Sequence, residues 1–230
     1  EEKVIRNTLK EVTYYFEYRE IEYEIILVDD GSTDRTKVFA LEYCNHHNVL
    51  VTTNLGSRGK GFAISHGFVF CSPKANYVLV MDADMQIHIK EIEHFLNHMK
   101  FYNADMVIGN KRHMFSHTQY NMQRWIVSNV YNMLIRFLFG FNYRDTQCGI
   151  KLFKYSALAF LTYKAKTRHF AYDLELITIA REYGMLVVDA PIRVKKQVNK
   201  GRVSLKNIVH SFADTLRIWH NLKHGEYKIG

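Results

Sequence analysis

Glu24-Ile25-Ile26-Leu27-Val28-Asp29-Asp30-Gly31-Ser32-Thr33-Asp34 and Tyr77-Val78-Leu79-Val80-Met81-Asp82-Ala83-Asp84-Met85-Gln86 share one form: an apolar run that ends in a cluster of acids. Strands buried on both faces of a parallel sheet read as unbroken β-branched runs, and open α/β sheets bind ligands just beyond the carboxyl ends of their strands. Both clusters are therefore expected at one crevice. Carboxylates gathered there repel one another unless a divalent cation or a ligand donor compensates, and hard oxygen ligands suit Mg²⁺ or Mn²⁺. The pattern points to a metal and nucleotide site.

Working outward, strands are expected near 24 to 29, 48 to 53, 77 to 82 and 105 to 109, with helices near 2 to 17, 34 to 47, 60 to 71 and 89 to 100. This alternation predicts a doubly wound, mostly parallel sheet flanked by helices. The chain opens in a helical pattern, whereas an α/β unit normally starts with a strand, so a first strand is expected to be missing. From Arg124 a long helix is expected with Ile126, Val130, Met133, Leu134, Phe137, Leu138 and Phe141 on one face, ended by Gly140 and Asn142. A strand near 149 to 153, a helix from 173 to 183 and a strand from 185 to 189 return the chain to the sheet. Leu205, Ile208, Val209, Phe212, Leu216 and Trp219 are spaced as a C-terminal amphipathic helix. The expected organisation is a single catalytic domain over 1–230, with a nucleotide-binding half (1–123) and an acceptor-side half (124–230).

The chain has 230 residues, is 47% hydrophobic and carries a formal net charge of +8. That composition builds a folded core and excludes disordered and fibrous classes. The charge suits an anionic membrane surface, a phosphorylated ligand or nucleic acid. Aromatic platforms and nucleic-acid motifs are not evident, so no nucleic-acid partner is expected. Cys44, Cys71 and Cys148 are odd in number and widely spaced, which supports neither a disulfide framework nor a metal site. No apolar run reaches the roughly 18 residues of a membrane span.

Three local patterns are decoys. After Gly56-Ser-Arg-Gly-Lys-Gly61, Phe62-Ala63 stand where a phosphate loop needs Lys then Ser or Thr, and Ile64 stands where a dinucleotide fingerprint has its third glycine. His94 and His98, at i and i+4, lack a third ligand. Gln123-Arg124-Trp125 echoes part of a sugar-polymerase motif but falls at a helix start, although Arg124 itself remains a candidate. For Asp82-Ala83-Asp84, a capping role for the helix near 89 is the alternative to a ligand role. Asp34 or Thr33 caps the helix near 34 better than Asp29 and Asp30 can, which leaves those two for a ligand.

With these residues in view, the chain resembles inverting nucleotide-sugar glycosyltransferases of the GT-A fold, in the branch that transfers a sugar to a polyprenyl phosphate. The resemblance rests on V-D-D-G-S-T-D at 28–34, R-G-K-G at 58–61, D-A-D-M-Q at 82–86, D-T-Q-C-G-I-K-L-F at 145–153, Phe170 to Leu176 and the basic stretch from Lys200 to Lys206. The block at 145–153 is similar to dolichyl-phosphate β-glucosyltransferases. Glu1-Glu2 looks like the end of a family motif that follows the first strand. The resemblance implies that Asp29, Asp30 and Ser32 hold the nucleoside of UDP-glucose, while Arg58, Gly59, Lys60 and Gly61 close over it. It implies that Asp84 and Gln86 hold Mg²⁺ or Mn²⁺, with Asp82 beside them. Arg112, Arg124, Lys200 and Arg202 would draw in the phosphate of dolichyl phosphate, and Asp173 would orient an arginine or the sugar hydroxyls, with base catalysis the lesser option. The implied setting is a membrane surface, at the cytoplasmic face of the endoplasmic reticulum. Gln86 is more typical of mannosyl relatives, so a GDP-mannose enzyme or another polyprenyl-phosphate hexosyltransferase stays as the alternative.

Overall fold

The computed structural model describes residues 1–44, 48–54, 56–84, 86–111, 122–141, 143, 145–195 and 205–228, with side chains left out at 122–127 and 205–208. Helix α1 (Ile5–Tyr18) precedes β1 (Ile25–Asp29), α2 (Thr36–Cys44), β2 (Val49–Thr53), α3 (Lys60–Phe68) and β3 (Tyr77–Met81). A short 3-10 turn (Ile89–Glu91) then leads into α4 (Ile92–Tyr102) and β4 (Met106–Asn110). The second half contains α5 (Met122–Phe139), β5 (Ile150–Lys154), α6 (Tyr155–Lys164), α7 (Tyr172–Glu182), β6 (Val187–Pro191) and α8 (Leu205–Lys223).

β1 and β2 pair in parallel, from Ile25 opposite Val49 to Asp29 opposite Thr53. The larger sheet has the order β3-β5-β4-β6. In it β5 runs antiparallel to both β3 and β4, and β6 is parallel to β4, so three of its four strands point one way. Ile25 of β1 and Leu79 and Met81 of β3 pack against one apolar cluster that includes Val12 and Tyr15 of α1, which links the two sheets through side chains. β4, buried at all five residues, forms the centre. Because β5 runs backwards, its first residues lie at the same edge as the end of β3: Asp82 N–H donates to Gly149 C=O at 2.9 Å. The reversal brings the 145–153 block to the acidic crevice.

The expected strands stand within a residue or two of the observed ones, but two helix faces differ. On α5 the buried residues are Tyr131, Asn132 and Ile135, whereas Val130, Met133 and Phe137 point outward. The Tyr131 hydroxyl bonds Thr215 and the Asn132 amide donates to Ser128 C=O, so polar groups with partners take the inner face. On α8 Asp214, Thr215 and Ile218 face inward, with Val209 and Leu216 outside. Gly140 at φ +64 takes the left-handed position after α5 that ends many helices.

Candidate active site

The loop after β1 spends its acids on its own architecture. Asp29 is buried and its Oδ1 accepts from Ser32 N–H at 3.1 Å. Asp30 accepts four bonds from the facing loop: Asn54 Nδ2 (2.8 Å), Ser57 Oγ (3.0 Å), Arg58 N–H and Gly59 N–H (both 2.9 Å). Burial pushes the Asp30 carboxyl upward, but the Arg58, Asn54, Gly59 and Ser57 donors outweigh it and hold the group below its usual range. Beside the ligand role expected for the pair, both carboxylates have a structural one. Asp29 locks its turn and Asp30 ties that turn to the 54–59 loop, while still lining the cleft. A group whose folded pKa is depressed contributes stability that is present above its unfolded pKa and lost as pH falls through the folded one. The stability gap between wild type and Asp30→Asn is therefore expected to close as pH drops from about 6 to about 3, measured by urea unfolding at each pH; a gap that widens on acidification contradicts the assignment.

Four charged groups alternate in sign across the floor of the cleft. Lys60 Nζ lies 3.2 Å from Asp82 Oδ1 and 3.1 Å from Asp173 Oδ2, and Lys151 Nζ lies 3.1 Å from Asp173 Oδ1. Asp173 Oδ1 has no aligned donor, so its contact with Lys151 is Coulombic, whereas Lys151 donates to Cys148 C=O at 2.6 Å. Burial drives the Asp173 carboxyl up, and Lys151 and then Lys60 more than reverse this, so Asp173 is held as a carboxylate. Among the described residues Asp173 thus pairs with two lysines, while the arginines expected as its partners lie outside them.

Glycines allow these groups to meet. A Cβ on Gly61 would stand 2.6 Å from Tyr172 Cβ, so its absence lets the start of α3 dock on the start of α7 and brings Lys60 to Asp173. A Cβ on Gly149 would stand 2.1 Å from Asp82 Oδ2. Phe62 N–H donates to Arg168 C=O at 3.0 Å, which fastens α3 to the 165–171 segment.

Together these elements wall a cleft of about 880 Å³ lined by Asp30, Ser57, Gly59, Lys60, Asp82, Ala83 and Asp84 from the first half and by Gln147, His169, Phe170, Asp173 and His210 from the second. His88, through Nδ1 accepting from Lys90 N–H, caps the 3-10 turn, so Asp82 and Asp84 are not its caps. Asp84 Oδ1 accepts from Gln86 N–H at 3.1 Å. Gln86 is not among the described residues that line the cleft; its backbone is used to steady Asp84 and, through its C=O, Lys195 N–H at 2.8 Å. Among the described residues no three His, Cys, Asp or Glu side chains gather closely enough to hold a metal alone. Asp84 and Asp82 at the cleft edge fit Mg²⁺ or Mn²⁺ in the form common for these ions, one or two carboxylates completed by substrate phosphates.

Sequence reasoning missed Gln147, Lys151, His169 and His210. Gln147 Nε2 donates to Tyr131 OH (3.1 Å); that hydroxyl bonds Thr215 Oγ1 (2.8 Å), which donates to Ser211 C=O (2.7 Å). The relay joins the cleft to α5 and α8. Arg112, Lys200, Arg202 and the side chain of Arg124 lie outside the described residues.

The model of the family described as glycosyl transferase family 2 matches residues 1–161. The chain belongs to this family. Among its relatives, human dolichyl-phosphate beta-glucosyltransferase is 30% identical over 84% of this chain and 63% of that protein. A dolichyl-phosphate beta-glucosyltransferase of Trichomonas vaginalis is 26% identical over 100% of this chain and 73% of that protein. The chain thus spans somewhat less than two thirds of the human enzyme's length. Of solved structures, glucosyl-3-phosphoglycerate synthase from Mycobacterium tuberculosis, crystallised with Mn²⁺, UDP-glucose and glycerol 3-phosphate, has a TM-score of 0.70 at 16% identity and covers 95% of this chain and 76% of that one. Mannosyl-3-phosphoglycerate synthase from Rubrobacter xylanophilus has a TM-score of 0.69 at 15% identity, covering 99% and 72%. The fold of this family 2 glycosyltransferase is therefore of the GT-A type.

Proposed function

We propose that this glycosyltransferase transfers glucose from UDP-glucose to dolichyl phosphate with inversion, giving dolichyl β-D-glucosyl phosphate for protein N-glycosylation. The observation that carries the reading is the likeness to dolichyl-phosphate beta-glucosyltransferases across most of the chain. The first half (1–123) would bind the nucleotide and the second (124–230) the acceptor; the cleft between Asp84 and His210 draws its walls from both.

Asp84, with Asp82 beside it, would hold Mg²⁺ or Mn²⁺ against the donor diphosphate, and the Mn²⁺ and UDP-glucose complex of the mycobacterial synthase supports such an ion. When bound, the ion offsets the charge that grows on the leaving diphosphate. Lys60 brings a second cation to the same oxygens. A phosphate monoester has its second pKa near 6 and is already largely dianionic at neutral pH, so the nucleophile needs little general base. Asp173, clamped between two ammonium groups, is placed as a counter-ion. Arg112, Arg124, Lys200 and Arg202 would bring one anion up to another through bidentate contacts. The test is lipid-extracted product from UDP-glucose and dolichyl phosphate with Mg²⁺ or Mn²⁺: a β-linked glucosyl lipid is expected, its formation stopped by chelation. Undiminished product in excess chelator would remove the metal from the account.

Work at a membrane surface, at the cytoplasmic face of the endoplasmic reticulum, belongs to the same reading. No helix among the described residues is long and apolar enough to cross a membrane. The outward apolar stripe of α5 supports contact with lipid: Met133 is 68% and Phe137 85% exposed. Met133→Glu/Phe137→Glu is expected to cut co-sedimentation with anionic liposomes by several-fold at unchanged melting temperature. Equal binding by wild type and variant would place the contact elsewhere.

A further inference from the structure

Lys151 is the second residue of β5, between Ile150 and Leu152, with 2% of its surface exposed, and no part of the proposed chemistry uses it. A lysine is almost never buried unless its charge is met. Here it is met by Asp173 and by Cys148 C=O. Asp173 in turn passes its other oxygen to Lys60, the ammonium that reaches the cleft. The start of β5 controls the other neighbour of Lys60 too: Gly149 C=O accepts from Asp82 N–H, and the missing Cβ of Gly149 leaves room for the Asp82 carboxylate.

We propose that Lys151 is a positioning residue for donor binding: by pairing with one oxygen of Asp173 it turns the other toward Lys60 and so fixes that ammonium at the place of the donor's diphosphate. Among the described residues Lys60 and Lys151 are the cations beside Asp173; without Lys151, the carboxylate would draw the Lys60 ammonium inward, away from Asp82 and the cleft. The inference rests on the proposed donor being a nucleoside diphosphate sugar, but on neither glucose nor dolichol.

A purely structural ion pair and a positioning one respond differently to its removal. Taking away one partner of a buried pair leaves an uncompensated charge and destabilises the fold, whereas replacing both by apolar groups of similar volume is often neutral. Lys151→Met alone is therefore expected to melt early. Lys151→Met/Asp173→Leu is expected to recover the melting temperature yet bind UDP with Mn²⁺ more weakly by about ten- to a hundredfold, the size of one charge-assisted contact. The loss should appear in the KM for the donor as well as in the affinity for UDP. Calorimetric titration of UDP with Mn²⁺ into wild type, single and double variants decides the matter, with transfer kinetics alongside. If the double variant binds UDP as tightly as wild type, Lys151 has only a structural part and the inference fails. If binding is normal but kcat collapses, Asp173 acts in the chemical step and the inference also fails. Wild type that binds no UDP under any metal would instead overturn the proposed donor. Should the double variant not fold, Lys60→Met serves: the inference requires it to weaken UDP binding to a similar degree, and unchanged binding refutes it.

Discussion

Asp84→Asn is expected to lower transfer by about a hundredfold or more, on the scale of losing one preorganised charge at a developing anion. Asparagine keeps a side-chain oxygen to accept from Gln86 N–H, so the turn after β3 retains that bond while the charge is lost. The melting temperature should hold or rise, because the carboxylate faces a cleft that already contains Asp82 and Asp30. Turnover measured over a range of Mg²⁺ and Mn²⁺ concentrations, with a thermal melt of the same sample, checks both halves. Near-normal turnover would mean that the metal sits elsewhere.

The second large effect is on stability. Glu175 is fully buried at the first turn of α7 and latches two distant segments. Its carboxylate accepts from Lys166 N–H (3.1 Å to each oxygen), Thr167 N–H (2.7 Å) and Tyr227 OH (2.8 Å). Glu175→Leu strands three donors at once, at a cost of about 3 to 5 kcal/mol. For a chain of this size each kcal/mol moves the melting temperature by roughly 2 to 4 °C, so a fall on the order of 10 °C is expected. The latched segment carries Arg168 C=O, His169 and Phe170 to the cleft, so donor affinity should weaken well below the melt. Glu175→Gln, which keeps one acceptor, should lose less. If Glu175→Leu melts with wild type, the latch contributes nothing and the wall of the cleft is held by other contacts.

The strands and the acidic crevice were legible because both signals are local: an unbroken β-branched run, then acids where such a strand must end. Helix α6 was not, since Tyr155 follows Lys154 of β5 directly and its cap residue makes no side-chain capping bond. The inner faces of α5 and α8 were misread for a related reason. On α5 two stripes compete: Val130, Met133 and Phe137 are the more apolar, but Tyr131 and Asn132 have partners inside, and the partners of Tyr131 come from Thr215, 84 residues away, and Gln147. Lys151 was hidden in the same manner. A lysine flanked by apolar residues reads as the solvent side of an alternating strand, and only the cover on both faces of the central sheet puts it inside. Its partner Asp173 lies on a helix after an intervening helix, with no spacing rule to connect them. Asp29 and Asp30 were recognised as important, while the part they play, holding two loops together, depends on backbone donors at Ser32, Arg58 and Gly59 that no side-chain pattern announces.

The most direct measurement offers the full-length enzyme UDP-glucose and GDP-mannose together, each labelled differently, with dolichyl phosphate and Mn²⁺, and identifies the label in the extracted lipid. Dolichyl phosphate carrying glucose is the expected dominant product; mannose as the dominant lipid-linked sugar, or release of glucose to water with none on the lipid, would overturn the proposed donor and acceptor.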